Sequence, residues 1–312
     1  MLETTKASLS DLFKEYQLSE EQQKICTYMK KRLSNTGTEL DDDEEIIWAV
    51  AVETIDMKPA PTPSDMRFYE RRIEERLRRL DSAESQYGWF SIQWTKPTMK
   101  RLIQQWFCGM LVIDPNITTR DGHPIQFVHE YYGNDTGYPD PEDQTEEWKK
   151  ESTELYALMA RSICRSYPTS TTKGIVSLSD MQNFDWDKYD MGTKERNANI
   201  GSIIPNKLKR MIVFHPDEKM IQFYNGMTPL SRKKFGFEQY DDLDSALKGE
   251  SDLLPDIENL PVFVGGNYKV DILECMKYLF RREPEALSLL LETHSEMVQA
   301  GELPKPKHME YY

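Results

Sequence analysis

The chain has 312 residues, 38% of them hydrophobic, and a net charge of −14. At roughly 100 to 200 residues per domain, that length allows a substantial core and about two domains. The acidic balance argues against nucleic-acid binding, which needs a basic footprint to release counterions from phosphate.

The first part, 1–106, reads as an all-helical region. Ser19-Glu20-Glu21-Gln22 is a capping-box sequence that opens a helix with Ile25, Tyr28 and Met29 on one face. The acidic run Asp41 to Glu45 suits a helix N-terminus, where negative charge meets the positive end of the dipole. Trp48, Ala49 and Val52 then face inward. Lys58 to Pro63, with three alternating prolines, reads as an extended linker. Ser64 is placed to cap the next helix, whose Met66, Tyr69, Ile73, Leu77 and Leu80 recur at three- and four-residue steps. That helix also carries Arg67, Arg71, Arg72, Arg76, Arg78 and Arg79. Glu70, Glu74 and Glu75 interleave with them, which favours a solvated, ion-paired surface over a basic binding site. A further helix begins at Pro97 and buries Leu102, Ile103 and Trp106.

From Gly109 the hydrophobic period shortens. Gly109 to Ile113 reads as a strand, Asp121-Gly122 as a turn needing positive φ, and Ile125 to Tyr131 as a second strand, together forming a hairpin. Thr145 opens a long helix with Trp148, Leu155, Met159 and Ile163 on its buried side. Gly174 to Ser179 and Met211 to Phe214 are two more short strands. Strands alternating with helices predict a mixed, mostly parallel sheet flanked by helices. Ser177 and Ser179 share one face of their strand. They either orient a ligand within a largely apolar pocket or satisfy one another. After Pro216 comes a helix with Met220, Ile221, Phe223, Tyr224 and Met227, more apolar surface than one stripe requires. Such a helix packs in a core, covers a pocket or contacts a membrane. Arg232-Lys233-Lys234 follows without interleaved acids. Ile257 to Gly266 ends in a proline, an apolar run and two glycines, read as a closing strand with close backbone approach. The C-terminal extension, 267–312, holds two helices, from about Asp271 to Phe280 and from Pro284 to Gly301, with Leu287, Leu290 and Leu291 inward.

No apolar run reaches bilayer-spanning length, and Met1 to Lys6 lack the apolar core of a signal peptide, so a cytoplasmic location is expected. Cys26, Cys108, Cys164 and Cys275 are widely spaced and read as reduced thiols. His123, His129, His215, His294 and His308 have no Cys or carboxylate at metal-ligand spacing. Catalytic loop fingerprints are absent as well. Neither an enzyme nor a metal or other cofactor is expected, and no catalytic residue is assigned.

Several segments in this order resemble the CRAL-TRIO lipid-binding family, which includes phosphatidylinositol transfer proteins. They are Arg120-Asp121-Gly122-His123-Pro124, the strand from Gly174 to Asp180, the lead-in from Pro205 to Arg210, and Ile257 to Gly266 with its Glu-Asn-Leu-Pro and Gly-Gly. The likeness covers about residues 107–266 and implies a hydrophobic lipid pocket under a mobile gate helix, Asp217 to Met227. It implies that Ile175, Ser177, Ser179, Ile212 and Phe214 on the strands, with Met220, Ile221, Phe223, Tyr224 and Met227 on the gate, contact a phospholipid or other small hydrophobic ligand. Arg232, Lys233 and Lys234 would then meet a membrane surface transiently. Where phosphoinositide-transferring relatives place a lysine, this chain has Leu253, and His215 stands where asparagine is usual. The alternative on the same fold is a scaffold that exchanges no lipid and binds a protein partner such as a small GTPase.

Overall fold

A computed structural model describes residues 8–35, 43–55, 57, 61–88, 92–129, 144–182 and 207–304. Asp41, Asp42, Lys58 to Ala60, Tyr131, Pro205, Asn206 and His308 lie outside the described residues. The N-terminal helices are α1 (Leu9–Glu15), α2 (Glu20–Asn35), α3 (Asp43–Glu53), α4 (Pro63–Tyr87) and α5 (Lys96–Phe107). The capping box at Ser19 forms: its backbone N–H donates to the Gln22 side chain at 2.9 Å, and its hydroxyl accepts from the Gln22 N–H at 3.3 Å. At α4 the cap is Thr62 rather than Ser64, because the Thr62 hydroxyl accepts from the Asp65 N–H at 3.2 Å. α3 buries Ile46 through Ala51 without a break. A helix apolar all round is a buried one.

Five strands form one sheet in the order β1 (Leu111–Thr118), β2 (Pro124–His129), β3 (Ile175–Asp180), β4 (Leu208–Phe214) and β5 (Phe237–Tyr240). β1 and β2 are antiparallel and the other pairs are parallel, so the chain is α/β with a mixed, mostly parallel sheet after N-terminal helices. The hairpin turns at Gly122, whose φ of 82° an L side chain rarely adopts. α6 (Glu146–Ser166) and α7 (Pro168–Thr172) cross from β2 to β3, and α8 (Glu218–Gly226) and α9 (Pro229–Phe235) from β4 to β5. α10 (Leu243–Gly249), α11 (Ile272–Leu279) and α12 (Pro284–Ala300) complete the chain. α12 stops at Gly301, in the left-handed conformation with φ 68°.

Two hydrophobic clusters meet on α6. Its Leu155, Met159 and Ile163 pack into the main core with Phe127, Val176, Leu178, Ile212 and Phe214 of the sheet. Its Ala157, Ala160 and Cys164 face the N-terminal helices, where small side chains admit close packing. The boundaries expected at 106 and 267 do not separate cores. Met99, Leu102, Ile103 and Trp106 of α5 and Cys275, Leu279 and Leu290 of the last two helices all belong to the main core. A polar knot joins the clusters. Buried Glu44 accepts from the Tyr16 hydroxyl at 3.1 Å and from Arg165 Nε at 3.2 Å, and its Oε1 lies 2.7 Å from Arg282 Nη2.

The segment Ile257 to Gly266 is not a strand. It forms two 3-10 turns, Ile257–Asn259 and Val262–Val264, and a single bridge between Pro261 and Tyr268. Leu260 and Val264 are buried in the main core. The double glycine does serve close approach, since a Cβ on Gly266 would collide with the Leu260 carbonyl.

Candidate functional site

The sheet has two unlike faces, and register assigns side chains to each. Ser177 lies beside Met211 and Met211 beside Phe237. One step on, Ser179 lies beside Val213. In-register neighbours on parallel strands point the same way, so these five side chains share a face. The main core takes the other, with Val176, Leu178, Ile212 and Phe214.

α8 packs on this face through Met211 and Val213 of β4 and Phe237 of β5. Asp217 caps the helix by accepting from the Met220 N–H at 2.7 Å. Met220, Tyr224 and Met227 recur at four- and three-residue steps and turn inward. They form a separate small cluster with Met181, Met211, Val213 and Phe237. Four of its members are methionines, whose unbranched, polarisable chains repack readily around varied apolar partners. Phe237 receives the rings of Tyr224 at 5.5 Å and Phe223 at 6.3 Å. Ile221 and Phe223 flank this inward stripe on opposite sides, since two residues turn a helix by about 200°, and they are 38% and 57% exposed. α8 is therefore apolar on its inward stripe and on both flanks.

Polar contacts hold this helix against the sheet edge. The Tyr224 hydroxyl donates to Glu238 Oε2 at 3.0 Å, and the Arg232 guanidinium lies 3.9 Å above the Tyr224 ring. Burial and the Glu238 carboxylate both push the Tyr224 phenol up from its ordinary value, so it stays protonated and able to donate. Arg210 Nη2 lies 3.7 Å from Glu238 and donates to Glu250 at 2.6 Å, and the Tyr240 hydroxyl donates to Glu250 at 2.8 Å.

At the carboxyl ends of β2, β3 and β4 a second polar group forms. His129 Nδ1 lies 3.4 Å from one Asp180 oxygen, and His215 Nδ1 lies 3.0 Å from the other. The Gln182 N–H donates to Asp180 at 3.0 Å. Burial raises the Asp180 carboxyl, but the hydrogen bonds from His129, Gln182 and His215 outweigh it and hold the group below its ordinary value. His215 takes φ 51°, rare for a residue with a Cβ, directly before α8. Among the described residues no group of three or more His, Cys, Asp or Glu side chains is placed to hold a metal ion.

The sequence-derived site residues divide accordingly. Met220, Tyr224 and Met227 pack on the sheet face that Ser177 and Ser179 share, through Met211, Val213 and Phe237, and Ile221 and Phe223 flank them on α8. Ile175, Ile212 and Phe214 do not join them, because all three are packed in the main core. For Ile212 and Phe214 the reason is alternation, which turns them to the opposite face from Ser177 and Ser179. Met211, Val213, Phe237 and Met181 were missed, although the alternation of β4 could have pointed to Met211 and Val213. The Ser177 and Ser179 hydroxyls lie 3.1 Å apart and bond one another. Arg232 is engaged by Tyr224 and Lys233 is exposed, while the Lys234 side chain lies outside the described residues. Four of the six arginines named on α4 are ion-paired, Arg72 and Arg76 with Glu53 of α3 and Arg78 and Arg79 with Glu75. Elsewhere, a cleft of about 260 Å³ is lined by Asp114, Tyr167, Tyr278 and Arg281. No protein-family model and no curated protein matches this chain. No helix among the described residues is long and apolar enough to cross a membrane.

Proposed function

We propose that the protein is a CRAL-TRIO-like carrier that binds one phospholipid or similar hydrophobic molecule between α8 and the Ser177 face of the sheet, and exchanges it at membranes. The observation that carries this reading is that α8 is apolar beyond its inward stripe. The stripe meets a small methionine-rich cluster separate from the main core, and the flanks leave Ile221 and Phe223 partly in water. Core packing alone would need only the stripe. Closing α8 over an acyl chain removes each CH₂ from water at about 0.8 kcal/mol. Turning its exposed residues, with Arg232 and Lys233 of α9, to a bilayer offsets the cost of opening. The antiparallel hairpin leading into parallel strands, with helices before it, supports the same family likeness.

The mutual satisfaction of Ser177 and Ser179 favours a second reading, a filled space under α8 and a scaffold that binds a protein partner. Native mass spectrometry with lipid extraction, followed by transfer assays between vesicles, separates the two. A stoichiometric lipid and measurable transfer are expected. Absence of any co-purifying or loadable lipid, together with no transfer, would sink the carrier reading.

A further inference from the structure

We propose that the flank of α8 bearing Phe223, together with α9 and the first residues of β4, forms one docking surface selective for bilayers with anionic headgroups. This rests on the exchange reading above and specifies the membrane that the carrier meets. Among the described residues eight large hydrophobic side chains are exposed, and four of them, Leu208, Ile221, Phe223 and Leu230, fall between residues 208 and 230. Leu230, at the start of α9, is 78% exposed. The same stretch has the opposite charge to the rest of the protein. Residues 207–236 carry seven Lys or Arg against two acids, a net of +5, in a chain of net −14.

The parts are contiguous in space. α9 ends at Gly236, whose Cβ position lies 2.6 Å from the Lys209 carbonyl oxygen and 3.3 Å from Arg210 Cα. The Met211 N–H donates to the Gly236 carbonyl at 2.7 Å. Exposed Lys233 in the last turn of α9 therefore stands near Leu208 and Lys209, both exposed where β4 begins. Exposed leucines and a phenylalanine among lysines suit the headgroup boundary, where apolar side chains enter the acyl region and cations meet lipid charge. Phosphate-backbone binding would use the cations alone and leave Phe223 and Leu230 without a role.

The test uses the full chain and vesicles of phosphatidylcholine alone or mixed with phosphatidylserine, read by co-sedimentation. Binding is expected on the mixed vesicles, weakening as salt rises, with little on the neutral ones. Lys209→Glu with Lys233→Glu should weaken it about tenfold or more, as expected for reversing two charges at such a surface. Phe223→Ser with Leu230→Ser should weaken it similarly. Leu291→Ser with Val298→Ser, exposed on α12, should leave it unchanged. Every variant is exposed, and an unchanged thermal midpoint confirms folding. Equal binding to both vesicle types, indifference to the charge reversal, or no vesicle binding would each overturn the proposal. Extracted lipid with no phosphatidylserine dependence would reject this surface and leave the carrier reading standing. Selective docking without any bound lipid would do the reverse.

Discussion

The hydroxyls of Ser177 and Ser179 stand 3.1 Å apart on the sheet face beneath α8, each buried and each the other's partner. Removing one leaves the other unsatisfied in a dry setting, whereas removing both removes the demand. Ser177→Ala and Ser179→Ala should each destabilise by about 1 kcal/mol. The double variant should cost less than the sum, a coupling that urea denaturation of the four proteins measures. If the pair serves only itself, the double variant will also load lipid as the parent does. A loss of loading would show instead that a hydroxyl reaches the ligand.

The contact between Tyr224 and Glu238 ties α8 to β5, and on the carrier reading it sets how readily α8 lifts. Tyr224→Phe keeps the ring against Phe237 and under Arg232 while deleting the donor. A hydrogen bond of this kind contributes about 0.5–1.5 kcal/mol, or up to about tenfold in an opening equilibrium. Transfer between vesicles should therefore speed up several-fold with little change in the thermal midpoint. An unchanged transfer rate would mean that α8 does not limit exchange.

Asp180 predicts how stability follows pH. Its carboxyl sits below the ordinary value of about 3.9 in the folded protein because His129, Gln182 and His215 hydrogen-bond the charged form. Its contribution is fully present above the unfolded value and is lost as pH falls through the lowered folded value. Asp180→Asn should cost about 1.5–3 kcal/mol at neutral pH, in the range of hydrogen bonds to a charged group. The gap between variant and parent should shrink in acid. Urea midpoints at neutral pH and below the ordinary carboxylate range give the comparison, and a pH-independent gap would contradict it.

What the sequence made legible follows from how locally each feature is determined. The Gly122 turn, the Ser19 cap and the Gly301 stop depend on a few adjacent residues and stand where periodicity and turn chemistry place them. The hairpin turn also meets the residues just before Ile257: Arg120 Nη2 lies 2.5 Å from Asp256, and Arg120 Nε donates to the Leu254 carbonyl at 3.0 Å. Their adjacency depends on chain folding and was not visible in either segment. The same limit hid β5 and the short α7, α9 and α10, each too brief for a period to show. It hid the partners of Ser177 too. Which β4 side chains stand beside it is a matter of strand register, and the choice of Ile212 and Phe214 over Met211 and Val213 was a one-residue error of face. On α4, Glu75 pairs along the helix with Arg78 and Arg79, but Glu53 of α3 takes Arg72 and Arg76 while Glu74 pairs with Arg32 of α2.

Two glycines at comparable chemistry should respond in opposite directions to alanine. At Gly266 the new methyl would fall on the backbone of Leu260, which is buried and cannot withdraw without moving the turn that seats it in the core. Overpacking of that kind costs about 1–3 kcal/mol or more. Gly226, the last residue of α8, has nothing within 4 Å of its Cβ position. Alanine there should stabilise by about 0.4–1 kcal/mol by restricting the unfolded chain and favouring the helix. Chemical denaturation of both variants checks the signs. Vesicle transfer adds a functional readout, because a firmer end to α8 should slow lid opening while Gly266→Ala, remote from the lid, should leave transfer by the folded fraction unchanged.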